Sequence, residues 1–388
     1  TLMRSSAASD VYKRQVLSYL LTYRKSLLIA DQKEYIASIT GLILNVVSYL
    51  AIILLVTWEQ NYLLALGIGT VTEVVLNIWI SWYVEQKYPF LRQRRKEKST
   101  SSLTKRIVRD LKSLFISRIS EKMLYCTDNL IISGFIGVGT VGRYANYCMI
   151  TQAISNILTI LANTIQPTVG DYFTEKNRQR NYEILRQLTF GFFCIASVVS
   201  VGLFSLITPF VRDIWLGPSY ELGWGITVFC IVVLLVRIMG LPLSLVMGVT
   251  GLFEKEKNVG ASSALLNLIV SLALVKPYGM AGVLLGTLLS YLLQILYRYI
   301  IYFRDFLEMP GEALRYAQDI GEYLAVIAGE VLLMQKIVPL IYGAGGMLLF
   351  CVCFLLCIAI PLLLDLVIFG RGWRLQSIVT MVKGMRKA

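Results

Sequence analysis

Histidine is absent from all 388 residues. Its absence excludes imidazole acid–base catalysis, the serine and cysteine triads that rely on an imidazole, and histidine-rich zinc sites. Charge is scarce as well: Asp, Glu, Lys and Arg make up 16% of the chain against 56% hydrophobic residues. With a mean hydropathy of +0.66, this is not the composition of an ordinary soluble domain. Cysteine is rare, odd in number at seven, and confined to apolar stretches. Neither a disulfide framework nor a metal site follows from such a pattern, and no cofactor motif is present. Cys351, Cys353 and Cys357 fit the small-residue face of a helix. The first fifteen residues, TLMRSSAASDVYKRQ, lack an apolar core and so are not a signal peptide. They do not continue the pattern that starts at Val16, and 1–15 is expected to be a non-native scar.

What remains is a succession of apolar runs, each near the ~20 residues needed to cross hydrocarbon. They fall at 16–30, 35–56, 62–83, 111–136, 141–169, 185–208, 222–247, 259–275, 280–303, 320–337 and 347–369. The expected fold is an all-α polytopic membrane protein with about eleven spans. The net charge of +13 does not indicate nucleic acid, because the basic residues sit in short loops at alternate ends of the spans. One set of loops holds Lys87 to Arg109, then Lys176 to Arg186, then Lys255 and Lys257, then Arg304 and Arg315, then the tail from Arg371. The opposite loops are nearly bare. Positive-inside bias makes the first set and the C-terminus cytoplasmic. Counting back from that tail starts the helix at Val16 from the outside, which implies earlier spans upstream. Residues 87–112 are either an ordinary cytoplasmic loop or a linker between lobes. The tail, with Trp373, Ile378, Val379 and Met385 among basic residues, carries a weak interfacial-helix signal.

Charge inside the spans is the informative exception. In 111–149, Arg118, Glu121, Lys122, Tyr125, Asp128 and Asn129 recur every three or four residues and share one side of a helix. Charged groups within spans face a bundle interior or a water-filled cavity. Two readings stand: a structural ion pair between Glu121 and Arg118 or Lys122, or a charged cavity wall handling an anionic or ion-coupled cargo. Arg118 and Lys122 lie roughly 10 and 17 Å into the helix, one turn apart. Arg143 follows on the next segment as a further candidate cavity group. Gln152, Asn156, Thr159 and Asn163 then form a polar stripe, suited either to sugar hydroxyls or to holding helices together. Arg237 is near the middle of its span and requires a partner or water. Glu73 and Asp128 are candidate ion-coupling carboxylates, for protons or sodium. Glu330 is read as structural.

Three stretches carry a resemblance. In NLIVSLALVKPYGMAGVLLGTLLS (267–290), Asn267, Ser271, Gly279, Gly282-Val283 and Gly286-Thr287 resemble the polysaccharide (lipid-linked oligosaccharide) flippases of the multidrug/oligosaccharidyl-lipid/polysaccharide exporter superfamily. In 127–147, Asp128-Asn129, Ser133, Gly137, Val141-Gly142, Tyr144 and Asn146-Tyr147 resemble the same family's seventh-to-eighth helix region. YRKSLLIADQKEYI (23–36) resembles the cytoplasmic end of its fourth helix. The resemblance implies fourteen helices in two pseudo-symmetric lobes around a central cavity, of which about eleven are visible here, and so an N-terminal truncation. It divides the chain into the remainder of a first lobe (16–84), a basic linker (85–110), a six-helix second lobe (111–303), an additional helix pair (304–369) and a basic tail (370–388).

The implied function is non-enzymatic: flipping a polyprenyl-pyrophosphate-linked glycan across the bacterial inner membrane by alternating access, for surface polysaccharide synthesis. Partners would be that lipid-linked glycan, the bilayer, and protons or sodium. Fixed cations would replace the pyrophosphate's counter-ions. The alternatives are a drug/cation antiporter of the same superfamily and, less favoured, a membrane glycosyltransferase or polymerase. The enzymes need acid–base groups on the outer face and usually a large outer loop, and the outer loops here are short. The longest, 209–221, offers Arg212, Asp213 and Glu221.

Overall fold

The computed structural model describes residues 24–31, 33–59, 62–89, 115, 119, 127–173, 177–250, 252–343 and 345–370. These residues are helical nearly throughout, without a strand. The chain clusters into two units, 1–100 and 101–388.

The first unit holds α1 (Lys25–Ala30), α2 (Glu34–Glu59) and α3 (Tyr62–Lys87). Its core is small: Leu28, Ala37, Ile80 and Val84 meet where the three helices come together. Polar contacts close the same end. Arg24 pairs with Glu85 at 2.6 Å, and Asp31 accepts hydrogen bonds from Lys33 and from the Tyr88 hydroxyl. The Lys33 bond, then the Tyr88 bond, hold the Asp31 carboxyl below the usual carboxylate range. Away from this lock α2 presents Leu42, Val47, Leu50, Leu54 and Trp58 outward. An apolar helix so exposed needs lipid or protein against it.

In the second unit, residues 127–135 form α4, followed by α5 (Val138–Tyr172), α6 (Arg178–Pro209), α7 (Trp224–Val249), α8 (Phe253–Tyr278), α9 (Met280–Ile300), α10 (Pro310–Tyr342) and α11 (Met347–Phe369). Phe210–Trp215 and Ile301–Leu307 extend α6 and α9 as π-helical turns. Eight helices among the described residues are long and apolar enough to cross a membrane. At 1.5 Å per residue, α5, α6 and α10 are about 50 Å long, more than the ~30 Å hydrocarbon core, so their ends extend beyond it. Local chemistry sets those ends. Asn177 caps α6 by accepting from the Arg180 backbone N–H at 3.2 Å, and Pro310 occupies the first turn of α10. That turn is braced by Arg315 with Glu312, so α10 starts ten residues before the apolar run at 320–337.

Packing is ordered around α7, which touches α5, α6 and α9; α8 packs on α9, and α10 and α11 pack on α6. The α8–α9 turn passes through Gly279 at φ +57, a conformation glycine adopts without strain. Beyond it the two helices run nearly backbone to backbone. A Cβ at Gly282 would lie 2.3 Å from the Leu274 carbonyl oxygen. One at Gly286 would lie 2.3 Å from the Ser271 hydroxyl. On the other side, α6 and α10 run in parallel with a constant offset. Arg186 forms a two-pronged pair with Asp319 at 2.6 and 3.0 Å, and Ser197 donates to Glu330 at 2.6 Å. An aromatic cluster of Phe190, Phe193, Tyr323 and Phe369 fills the junction of α6, α10 and α11.

Candidate functional site

Polar side chains are concentrated where α4, α5, α7 and α9 face one another. Between them lies a cavity of about 730 Å³. From α4 it receives Asp128 and Asn129, from α5 Gln152 and Asn156, and from α7 Arg237. Gln152 donates to the Asn156 side-chain oxygen at 3.0 Å, so the two amides one turn apart act as a single polar surface. Thr159 extends that surface, with its hydroxyl tied to the Ser155 carbonyl at 2.8 Å. Apolar walls come from Val233, Leu234 and Leu284, together with Tyr144 and Tyr291. The cavity therefore offers amides, hydroxyls and aromatic rings, with one cation and one carboxylate among its described lining.

Asp128 is the anchor of this wall. Its carboxylate is 5% exposed. It accepts from the Thr287 hydroxyl at 2.7 Å and, more weakly, from the Asn267 amide at 3.4 Å. Asn267 also donates to the Thr287 hydroxyl oxygen at 2.9 Å. Three helices thus meet on one carboxylate. Ser271, one turn from Asn267 on α8, donates to the Val283 carbonyl at 3.2 Å. The absence of a side chain at Gly286 lets α8 approach closely enough for these bonds. The Asn267 side-chain oxygen is buried and has no hydrogen-bond partner among the described residues. An amide oxygen left without a donor beside a carboxylate is an arrangement a cation would complete.

The expected site residues thus fall into groups. Asp128, Asn129, Gln152, Asn156 and Arg237 line one cavity. Arg143 is exposed and is not among the residues lining it. Glu73 is exposed on α3, in the other unit. Arg118, Glu121 and Lys122 lie outside the described residues. Asn267 and Thr287 stand out in the sequence only through the family pattern. Their i-to-i+4 partners Ser271 and Val283 are the single local signal that they face a neighbouring helix. Tyr147 belongs to the same pattern and is fully buried, its hydroxyl accepting from the Leu222 backbone N–H at 3.2 Å. That bond ties α5 to the loop before α7.

Residues 11–173 match the family model described as polysaccharide biosynthesis protein. No curated protein matches the chain significantly by sequence. Among solved structures, the Lipid II flippase MurJ in an inward closed conformation shares the fold, with a TM-score of 0.61 and 16% identity. The likeness covers 91% of this chain and 72% of that one. Two of the three recognisable stretches, 23–36 and 127–147, lie inside the family match. Residues 11–173 are thus similar to the polysaccharide biosynthesis family, and the chain shares the fold of a lipid flippase.

Proposed function

We propose that the chain flips a polyprenyl-pyrophosphate-linked oligosaccharide across the bacterial inner membrane, by alternating access, for surface polysaccharide synthesis. The observation that carries this reading is the polar cavity of about 730 Å³ inside a bundle of apolar helices. A hydrated, charged headgroup does not enter ~30 Å of hydrocarbon unaided, whereas the polyprenyl tail remains in lipid. The amides of Asn129, Gln152 and Asn156 suit sugar hydroxyls. Arg237 supplies a positive, forked donor for the pyrophosphate, and Arg118 and Lys122 would supply more. Asp128 is engaged by Thr287 and Asn267, so the described lining offers an organic cation no uncommitted carboxylate, which favours an anionic cargo.

Asp128 has a second part in this proposal. Its carboxylate, the bare Asn267 oxygen and the hydroxyls of Thr287 and Ser271 form an oxygen-rich set at the meeting point of α4, α8 and α9. Such a set suits a sodium ion or a proton, and its occupancy would bias the packing of those helices. Glu73 is the corresponding candidate in the first unit.

The test is transport by the full-length protein. Loss of the gene should leave lipid-linked sugar on the inner leaflet. Arg237→Gln, at matched membrane abundance, should lower export at least tenfold. Retention of an organic cation with normal sugar export would instead assign the protein to drug/cation antiport.

A further inference from the structure

A second polar cluster lies apart from the cavity, where α10 and α11 pack on α6. Glu330 is 3% exposed and Asp365 4% exposed. Glu330 receives one hydrogen bond, from Ser197 at 2.6 Å. Its other oxygen has no partner among the described residues, and neither oxygen of Asp365 has one. Register brings the two carboxyl groups to one level. Phe369, one turn beyond Asp365, packs on Phe190 and Phe193 at ring distances of 5.6 and 5.5 Å. Asp365 therefore lies beside the next turn of α6, the turn that carries Cys194 and Ser197. Asp365 is within electrostatic range of both Glu330 and Cys194.

Among the described residues, no ion pair supplies the cluster with a compensating cation. On α6 the cluster faces the Cys194 thiol and the Ser197 hydroxyl, and Arg186 is eleven residues away and engaged by Asp319. On α10 the ionisable neighbours are Tyr323, Glu322 and Asp319, about two turns or more before Glu330, and Lys336, six residues after it and exposed. On α11 the other ionisable groups are Cys351, Cys353 and Cys357. Two carboxylates buried at one level of an apolar bundle repel, and each lacks the solvation that would keep it charged. One positive charge between them relieves the repulsion and leaves a single net negative charge shared by the pair.

We propose that Glu330, Asp365 and Ser197 form a binding site for one monovalent cation, sodium or a proton, that holds the terminal helix pair to α6. The site is made from three helices, and its donors are carboxylate and hydroxyl oxygens, which suit a hard cation. It is separate from Asp128 and stands whether or not the flipping reading holds. Glu330, read as structural from the sequence alone, would in this proposal share its role with Asp365. With the site empty, α10 and α11 lose their electrostatic reason to stay against α6.

The test uses the full chain in detergent or nanodiscs, with dicyclohexylcarbodiimide as the probe. This apolar reagent modifies protonated carboxyl groups within membranes, and peptide mass spectrometry locates the adduct. Labelling is followed between pH 5 and 9, in sodium chloride and in choline chloride. The expected result is labelling of Glu330 or Asp365 that sodium or rising pH suppresses at least fivefold. Suppression by sodium at constant pH identifies sodium as the occupant. Suppression by pH alone identifies the proton. In Glu330→Gln and in Asp365→Asn, sodium protection of the remaining carboxyl should disappear, because the site needs both. No labelling of either residue under any condition would overturn the proposal. So would labelling indifferent to both sodium and pH, which describes two permanently neutral acids. The wild-type arms decide the matter even where a variant fails to insert.

Discussion

Asp128 meets two donors from two other helices, and a carboxylate so placed is sensitive to the loss of either. Thr287→Val keeps the shape of the side chain and removes the shorter bond of 2.7 Å. Leaving a buried acceptor short of its donor costs about 1–3 kcal/mol. The variant should therefore melt at lower temperature in detergent, while Asp128→Asn/Thr287→Val should recover part of the loss. A double variant as unstable as the single one would show that the bond contributes little. The charged face of the preceding segment invites a different experiment. If Arg118 only neutralises Glu121, then Arg118→Ala destabilises the protein, and Arg118→Ala/Glu121→Gln restores both folding and export. If Arg118 binds the pyrophosphate, the double variant inserts normally and does not export. Export compared at matched membrane abundance separates the two, and we expect the inactive, well-inserted outcome.

At the scale of elements, glycine and arginine do opposite work on the two sides of α7. Between α8 and α9 the contact depends on missing side chains. Gly282→Ala would place a methyl group 2.3 Å from the Leu274 carbonyl, where backbone rather than a flexible side chain must give way. Overpacking of this kind costs typically 1–3 kcal/mol. It should also loosen the Asp128–Asn267–Thr287 contact, so the thermal midpoint and export should fall together. A variant with unchanged midpoint would mean that α8 and α9 separate freely. Between α6 and α10 the contact depends on a charged pair. Asp319 is 8% exposed at the side chain and takes both prongs of Arg186. Arg186→Ala should cost roughly 3–5 kcal/mol, and Arg186→Leu/Asp319→Leu much less, since apolar replacement of a buried pair is often neutral. Melting curves of the three proteins check this.

For the whole molecule, the distribution of lysine and arginine makes a topological statement that the helices can be asked about directly. In a background with the native cysteines replaced, a cysteine at Lys96 or Lys176 should be shielded from an impermeant thiol reagent in intact cells. A cysteine at Ser219, exposed in the turn before α7, should react. Labelling at Lys96 from outside would reverse the orientation and with it the count of spans.

Hydropathy is a local property, and what depends on it was readable from the chain alone. The apolar run at 347–369 coincides with α11, and those at 222–247 and 62–83 differ from α7 and α3 by a few residues. Where helix and run diverge, as at 310–342 against 320–337, a proline and an ion pair continue the helix beyond the hydrocarbon, and hydropathy does not register either. The polar stripe at 152, 156 and 159 was legible for the same reason, because helical spacing alone puts those residues on one face. Which faces meet was not. Asp128 and Thr287 are 159 residues apart, and Asp128 and Asn267 are 139 apart. Their contact follows from the rotation and close approach of α4, α8 and α9, which depend on every side chain packed between them. Asp365 shows the limit plainly: the hydropathy pattern of its span assigns it no role. Only the packing of α11 against α6, through Phe369, Phe190 and Phe193, buries it beside Glu330. Spans are decided by transfer of each segment into lipid, whereas sites are decided by which helices then find one another.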